Sequence, residues 1–198
     1  MKTESDLNQI LGFINEIEKL KIIYRQNMTM DGSRQENSAE HSWHIAIMAL
    51  LLTDFSAVQP IDLLKVVKML LIHDLVEIDT GDTFLYDIER NESKQVRELE
   101  TANRLFGMLP DNLASDLFSL WNEFEARETP EAKYAASLDA FQPLANHLLS
   151  DGKGIIKHQI KTQTVIESKK HIGDGSPMLW EAAKDIIQKS EDKGLYLK

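Results

Sequence analysis

Apolar residues return at intervals of three and four along nearly the whole chain, and runs that alternate every second residue are missing. A repeat of about 3.6 belongs to the α-helix and a repeat of about 2 to the strand, so the sequence predicts an all-α protein. Leu7, Ile10, Leu11, Ile14, Ile17 and Leu20 trace a first amphipathic helix that runs on to Ile23. The polar stretch RQNMTMDGSRQEN reads as a loop. Ser38 is placed to cap a second helix over 39–55, which would carry Trp43, Ile47, Leu50 and Leu51 inward. Pro60 stands where a first-turn proline belongs, and 61–78 is apolar nearly all round, the mark of a buried central helix.

Turn chemistry at Gly81-Asp82 ends that helix, and helical spacing resumes over 91–108 with many exposed charges. Pro110 opens a helix to Phe124, and Pro130 opens another to about Ser150, closed by the glycines of SDGKG. Helices over 155–171 and 177–193 finish the chain. The expectation is one domain over 1–198, a bundle of about seven or eight helices, with residues 152–198 packed as C-terminal helices on a core over 20–151.

Composition removes whole classes of function. There is no cysteine, so any metal must be held by His, Asp and Glu. The net charge of −10 argues against a nucleic acid partner, because no basic stripe is present to release counterions. The first residues lack the basic and apolar regions of a signal peptide, and no apolar run reaches membrane-spanning length, so a cytoplasmic, membrane-free protein is expected. A small phosphorylated substrate remains open if cations reverse the local sign.

The segment LLIHDLVEIDTGD carries the chemistry. Its apolar half is followed by His73, Asp74, Glu77, Asp79 and Asp82. Acids near a helix C-terminus oppose the macrodipole, a conflict that a bound cation would resolve. Asp79 reads as the solvated one. His41 begins the second helix, and Asp139 in AASLDAFQPL interrupts an apolar face where an unpaired carboxylate is costly to bury. His41, His73, Asp74 and Asp139 would supply two imidazoles and two carboxylates, a set suited to one Mn, Fe, Co, Ni, Zn or Mg ion. Glu77 projects from the side of the helix that carries His73 and Asp74, placed to orient water or take its proton. His44, His147, His158 and His171 are expected to be ordinary packed or surface residues.

ENSAEH, followed by HDLVEIDTGD and then SLDAFQPL, resembles the H…HD…D pattern of the HD-domain phosphohydrolase superfamily, in particular its 5′-deoxynucleotidase branch. The likeness runs from about Leu20 to Asp151. It implies a single HD-domain helical bundle and one divalent metal on His41, His73, Asp74 and Asp139. Glu77 would then serve water activation or proton transfer, and Asp82 would support the substrate or the attacking water. Arg25 matches the arginine that holds the phosphate, and Arg34 matches another family arginine. The resemblance also implies a homodimer; from the residues alone, 91–127 is either a dimer surface or an outer helix. Some members carry a tryptophan after the phosphate arginine, which crowds a ribose 2′-hydroxyl, whereas this chain has Gln26.

The expected activity is metal-dependent hydrolysis of (deoxy)nucleoside 5′-monophosphates to nucleoside and phosphate. Two other readings stand beside it. One is a phosphohydrolase for a nucleoside triphosphate, a cyclic nucleotide or a non-nucleotide ester; the other is a non-catalytic sensor or interaction module stabilised by its metal.

Overall fold

The computed structural model describes residues 3–198, without the side chains of Ile88 and Arg90. Thr3 and Asp6 form a capping box, each accepting a hydrogen bond from the other's backbone N–H, and open helix α1 (Glu4–Ile17). The chain then tightens into a 3₁₀ turn over Glu18–Ile22, where the expected single helix stops short. The expected loop is a β-hairpin. β1 (Tyr24–Met28) pairs antiparallel with β2 (Gln35–Asn37). The turn is built by Asp31, whose Oδ1 accepts hydrogen bonds from the Thr29 and Ser33 hydroxyls and the Ser33 N–H, and by Gly32 at φ +67. Tyr24 lies opposite Asn37 and Met28 opposite Gln35, so β1 crosses four steps while β2 crosses two. The bulge this forces lets Arg25, Gln26 and Asn27 all face one cavity.

Asn37, the last strand residue, is the true cap of α2 (Ser38–Leu52): its Oδ1 accepts from Glu40 N at 2.9 Å, and Glu40 Oε2 accepts from Asn37 N at 3.3 Å. The expected cap, Ser38, lies inside the helix, which frees its hydroxyl for another partner. The rotation of α2 also differs from expectation. Ile45, Ala46 and Ala49 face inward behind His41, whereas Trp43 is 64% exposed and Leu51 74%, with Leu50 and Ile47 exposed beside them. Because α2 is apolar almost all round, periodicity does not set its rotation; inward His41 does, and a residue two positions on points about 200° away.

Pro60 precedes the next helix rather than sitting in its first turn. Asp62 caps α3 (Leu63–Ile72) by accepting from Lys65 N at 3.0 Å. The predicted long helix then breaks into a 3₁₀ turn, His73–Val76, and a short helix α4 (Glu77–Thr80), which ends at Gly81 with φ +69. Helices α5 (Ile88–Glu92), α6 (Lys94–Phe106) and α7 (Asp111–Ala126) follow. Asp79 is not merely solvated: Arg104 of α6 holds it through Nε at 2.6 Å and Nη2 at 2.8 Å.

Thr129 caps α8 (Pro130–Leu149), with Pro130 in the first turn as expected. After it come a 3₁₀ turn at Ile156–His158, then α9 (Thr162–Lys169), α10 (Ile172–Gly175) and α11 (Pro177–Asp192). Helix α8 is the axis on which α2, α3, α7, α10 and α11 pack. Helix α10 lies so close to it that a Cβ at Gly175 would collide with the Lys133 carbonyl and the Ser137 hydroxyl. Among the described residues no helix is long and apolar enough to cross a membrane, and the chain is 71% helical with a two-stranded sheet, the all-α class expected.

Two apolar cores form. One gathers Ile45, Val66, Met69, Leu70, Tyr134, Leu138 and Leu144 around α8. The other gathers Phe13, Ile72, Leu75, Val76, Leu105, Phe106 and Trp121 around α6. The 3₁₀ turn His73–Val76 lies where they meet: Leu70, just before it, belongs to the first core, and Leu75 and Val76 to the second.

Candidate metal centre

Tightening to 3₁₀ geometry separates adjacent residues by about 120° around the axis. His73 and Asp74 lie in such a turn, and both are buried. His41 comes from the first turn of α2 and Asp139 from the middle of α8, where Pro143 has no N–H to offer the Asp139 carbonyl one turn back. Ligand atoms of His41, His73 and Asp139 all lie within 4.8 Å of one another. His41 Nε2 is 3.0 Å and His73 Nε2 3.7 Å from Asp139 Oδ1, and His73 Nε2 is 3.0 Å from Asp74 Oδ1.

The outer nitrogens fix the tautomers. Gln142 donates from Nε2 to Glu36 Oε1 at 3.0 Å, which turns its own Oε1 to accept from His41 Nδ1–H at 3.1 Å. His73 Nδ1–H donates to the Leu70 carbonyl at 2.9 Å. Each neutral ring therefore aims an Nε2 lone pair at carboxylate oxygens. His73 Nε2 is buried and has no hydrogen-bond partner. Acceptor facing acceptor is stable only with a cation between them or a proton on the ring. The donors, two imidazole nitrogens and carboxylate oxygens without sulfur, fit a divalent metal.

Electrostatics agrees with this geometry. Burial pulls His73 down, but Asp74 and Asp139 outweigh it and lift the ring to about 9. Burial would raise Asp139, yet the His41 and His73 rings hold it well below the usual carboxylate range. His41 is lowered by burial and by Arg25. Glu77 is pushed well above its ordinary value by burial and by Asp74, and Asp82 is raised by the same two causes.

A cavity of about 240 Å³ opens over this cluster, and Asp74, Glu77, Asp82 and Asp139 line it. The Ser38 hydroxyl donates to Glu77 Oε2 at 2.6 Å. Arg25, from the bulged strand, donates from Nη1 to Asp74 Oδ2 at 3.0 Å and stands 3.9 Å from Asp82 Oδ1. Gln26 lines the same wall. Arg34 is not brought here: it grips Glu40 at 2.7 and 2.8 Å on the surface, outside the cavity lining.

The sequence reading missed several residues that line the cavity. Lys169, Arg127 and His171 reach it from the ends of α9, α7 and α10. His147 lines it too, but as a packed residue: it accepts from Tyr196 OH at 2.7 Å, donates to Asn27 Oδ1 at 3.1 Å, and burial drops it to about 3.

The chain is 29% identical to the 5′-deoxynucleotidase HDDC2 of Homo sapiens over 131 residues, 66% of this chain and 62% of that protein. It is 29% identical over 134 residues to the protein of the same name from Danio rerio, covering 67% and 65%. The match thus spans less than two thirds of these relatives' own length. A solved structure from Magnetospirillum magnetotacticum MS-1, described as a predicted metal-dependent phosphohydrolase, is 41% identical with a TM-score of 0.93, covering 98% of this chain and 97% of that one. A model of the HD domain matches residues 17–180, from the end of α1 to the start of α11 and so across every element that builds the cavity: the chain belongs to the HD domain family.

Proposed function

We propose that this protein is a divalent-metal-dependent phosphomonoesterase that hydrolyses (deoxy)nucleoside 5′-monophosphates to nucleoside and inorganic phosphate. The observation that carries the reading is the orphaned, inward-aimed Nε2 of His73 beside His41 and Asp139, beneath a cavity that also holds Arg25. In this reading His41, His73, Asp74 and Asp139 hold one metal ion. When bound, the metal supplies Lewis acidity that polarises a phosphoryl oxygen and acidifies water.

The chain's own residues do the rest. Ser38 fixes one oxygen of Glu77 and leaves the other to receive the proton of the attacking water. Burial, with Asp74 beside it, raises the proton affinity of Glu77, the direction that a proton acceptor needs. Asp82, also raised, orients the substrate or the water. Arg25 keeps a buried Nε without a hydrogen-bond partner, 3.9 Å from Glu36 Oε2, and offers its planar fork to phosphate oxygens. Gln26, smaller and more pliant than tryptophan, leaves room for a ribose 2′-hydroxyl, so ribonucleotides are accepted alongside deoxyribonucleotides.

The protein acts as a homodimer in the cytoplasm. The dimer is supported by the outward stripe of α2, Trp43, Ile47, Leu50 and Leu51, next to exposed Leu64 and Leu71 on α3. A phosphate-release screen of mononucleotides in ribo and deoxy form, across Mn, Fe, Co, Ni, Zn and Mg, tests the activity. Release from nucleoside 5′-monophosphates with at least one metal is expected; release only from triphosphates, cyclic nucleotides or sugar phosphates would replace the substrate assignment.

A further inference from the structure

Four carboxylates line the cavity, and the arginine among them already serves one: Arg25 is bonded to Asp74 and stands 3.9 Å from both Asp82 and Glu36. A phosphate monoester brings about two more negative charges at neutral pH. One committed guanidinium does not balance such a group, even with a divalent metal beside it. Among the described residues, the other cations of the cavity wall are Lys94, Arg127 and Lys169. Lys94 faces Glu98 at 3.6 Å. Lys169 and Arg127 have no hydrogen bond or ion pair from their side chains among the described residues.

Lys169 is the more telling of the two. It is the last residue of α9, a place where a lysine ordinarily turns into solvent and answers the helix dipole. Here it is instead mostly covered and lines the cavity. The charges that act on it are Asp139, which attracts it, and Arg25, Arg127 and Lys94, which repel it. An ammonium withdrawn from water toward other cations, with no bonded counter-ion, is unfavourable unless an anion arrives. Arg127 stands at the exposed rim, at the C-cap of α7.

We infer that Lys169, seconded by Arg127 at the rim, binds the phosphoryl group of the substrate and the phosphate product from a different wall than Arg25. The inference rests on the phosphohydrolase reading for its substrate, but its anion site stands on the two unpaired cations. Lys169 sets the orientation of the phosphoryl group through charge and up to three N–H donors, while Arg127 captures the incoming anion.

The test is calorimetric titration of inorganic phosphate into the full-length, metal-loaded protein: wild type, Lys169→Met, Lys169→Arg and Arg127→Gln. Lys169→Met is expected to weaken phosphate binding at least tenfold and to raise KM for the nucleotide by a similar factor, without lowering the thermal midpoint. Lys169→Arg restores most of the binding, which a purely structural role for the lysine would not predict. Arg127→Gln, on an exposed side chain, weakens binding about threefold and keeps the site testable if the Lys169 variants fold poorly. Phosphate affinity within twofold of wild type in Lys169→Met overturns the inference, as does the same result in Arg127→Gln where the Lys169 variants fold poorly, and as does a wild type that binds no phosphate. If phosphate binding depends on Lys169 but no nucleotide is hydrolysed, the substrate reading fails and the anion site stands; hydrolysis with phosphate binding indifferent to Lys169 gives the reverse.

Discussion

His41 and His73 are oriented by the same device, an Nδ1–H given to a fixed acceptor, and the proposed division between residues that would hold a metal and residues that would work on water can be tested one side chain at a time. Asp74→Ala removes a carboxylate from the ligand set and leaves Arg25 without its bonded partner, so metal and turnover should both be lost. Glu77→Gln keeps the metal, measured by elemental analysis, and should lose about 10²–10⁴-fold in kcat, the usual worth of a general base. Full nucleotide hydrolysis by the Asp74 variant would sink the mechanism. Away from the centre, burial lifts Glu98 to about 7, against the pull of Lys94 at 3.6 Å. The folded chain thus binds a proton at Glu98 that the unfolded chain releases near 4.5, so this contribution is complete below that pH and fades as pH rises to about 7. Glu98→Gln should flatten stability over that interval, by about 1–3 kcal/mol; chemical denaturation at pH 5 and pH 8 reads it. His41, His73, Asp74, Asp139, Glu77, Asp82 and Arg25 could be named as candidates from sequence because their spacing is motif-bound, and the fold gathers them in one place. Lys169 carries no such signal, because nothing near it in sequence distinguishes it from a surface lysine, and Arg34, a few residues from the hairpin wall, pairs with Glu40 instead.

At the level of elements, α8 and its caps were readable from Pro130 and the closing glycines, since local chemistry alone sets them. The hairpin was not, although its turn carries an Asp-Gly pair: strands this short give little alternation, and a bulge erases what there is. The rotation of α2 was misjudged because a helix apolar almost all round has no face for periodicity to find. Its exposed stripe makes a specific prediction. Leu51, 74% exposed, should lie within the dimer interface, so Leu51→Glu should give a monomer by light scattering while leaving the fold intact. A wild type that is monomeric at micromolar concentration would remove the dimer from the proposal. The break of the central helix into a 3₁₀ turn also escaped the sequence, because its apolar pattern runs through the break.

At the scale of the whole molecule, the centre sits between two apolar cores, and His41, His73 and Asp139 tie α2, the 3₁₀ turn and α8 across that seam. Anything that binds only the folded state stabilises it, by about 4 kcal/mol at a thousandfold excess over Kd. Chelation should therefore lower the thermal midpoint by on the order of 10 °C for a chain of this size, and hydrogen exchange should rise first along the seam, at His73–Val76 and the start of α2. A chelated protein with an unchanged midpoint would mean that the cluster holds no metal.

The same seam orders events during synthesis. His41 and Asp139 stand 98 positions apart in the chain. While α2 and the His73 turn leave the ribosome, the first two imidazoles exist without the carboxylate that joins them. Lys169 emerges later still. An ion held by all four groups would therefore meet them together only when α8 docks and the two cores close.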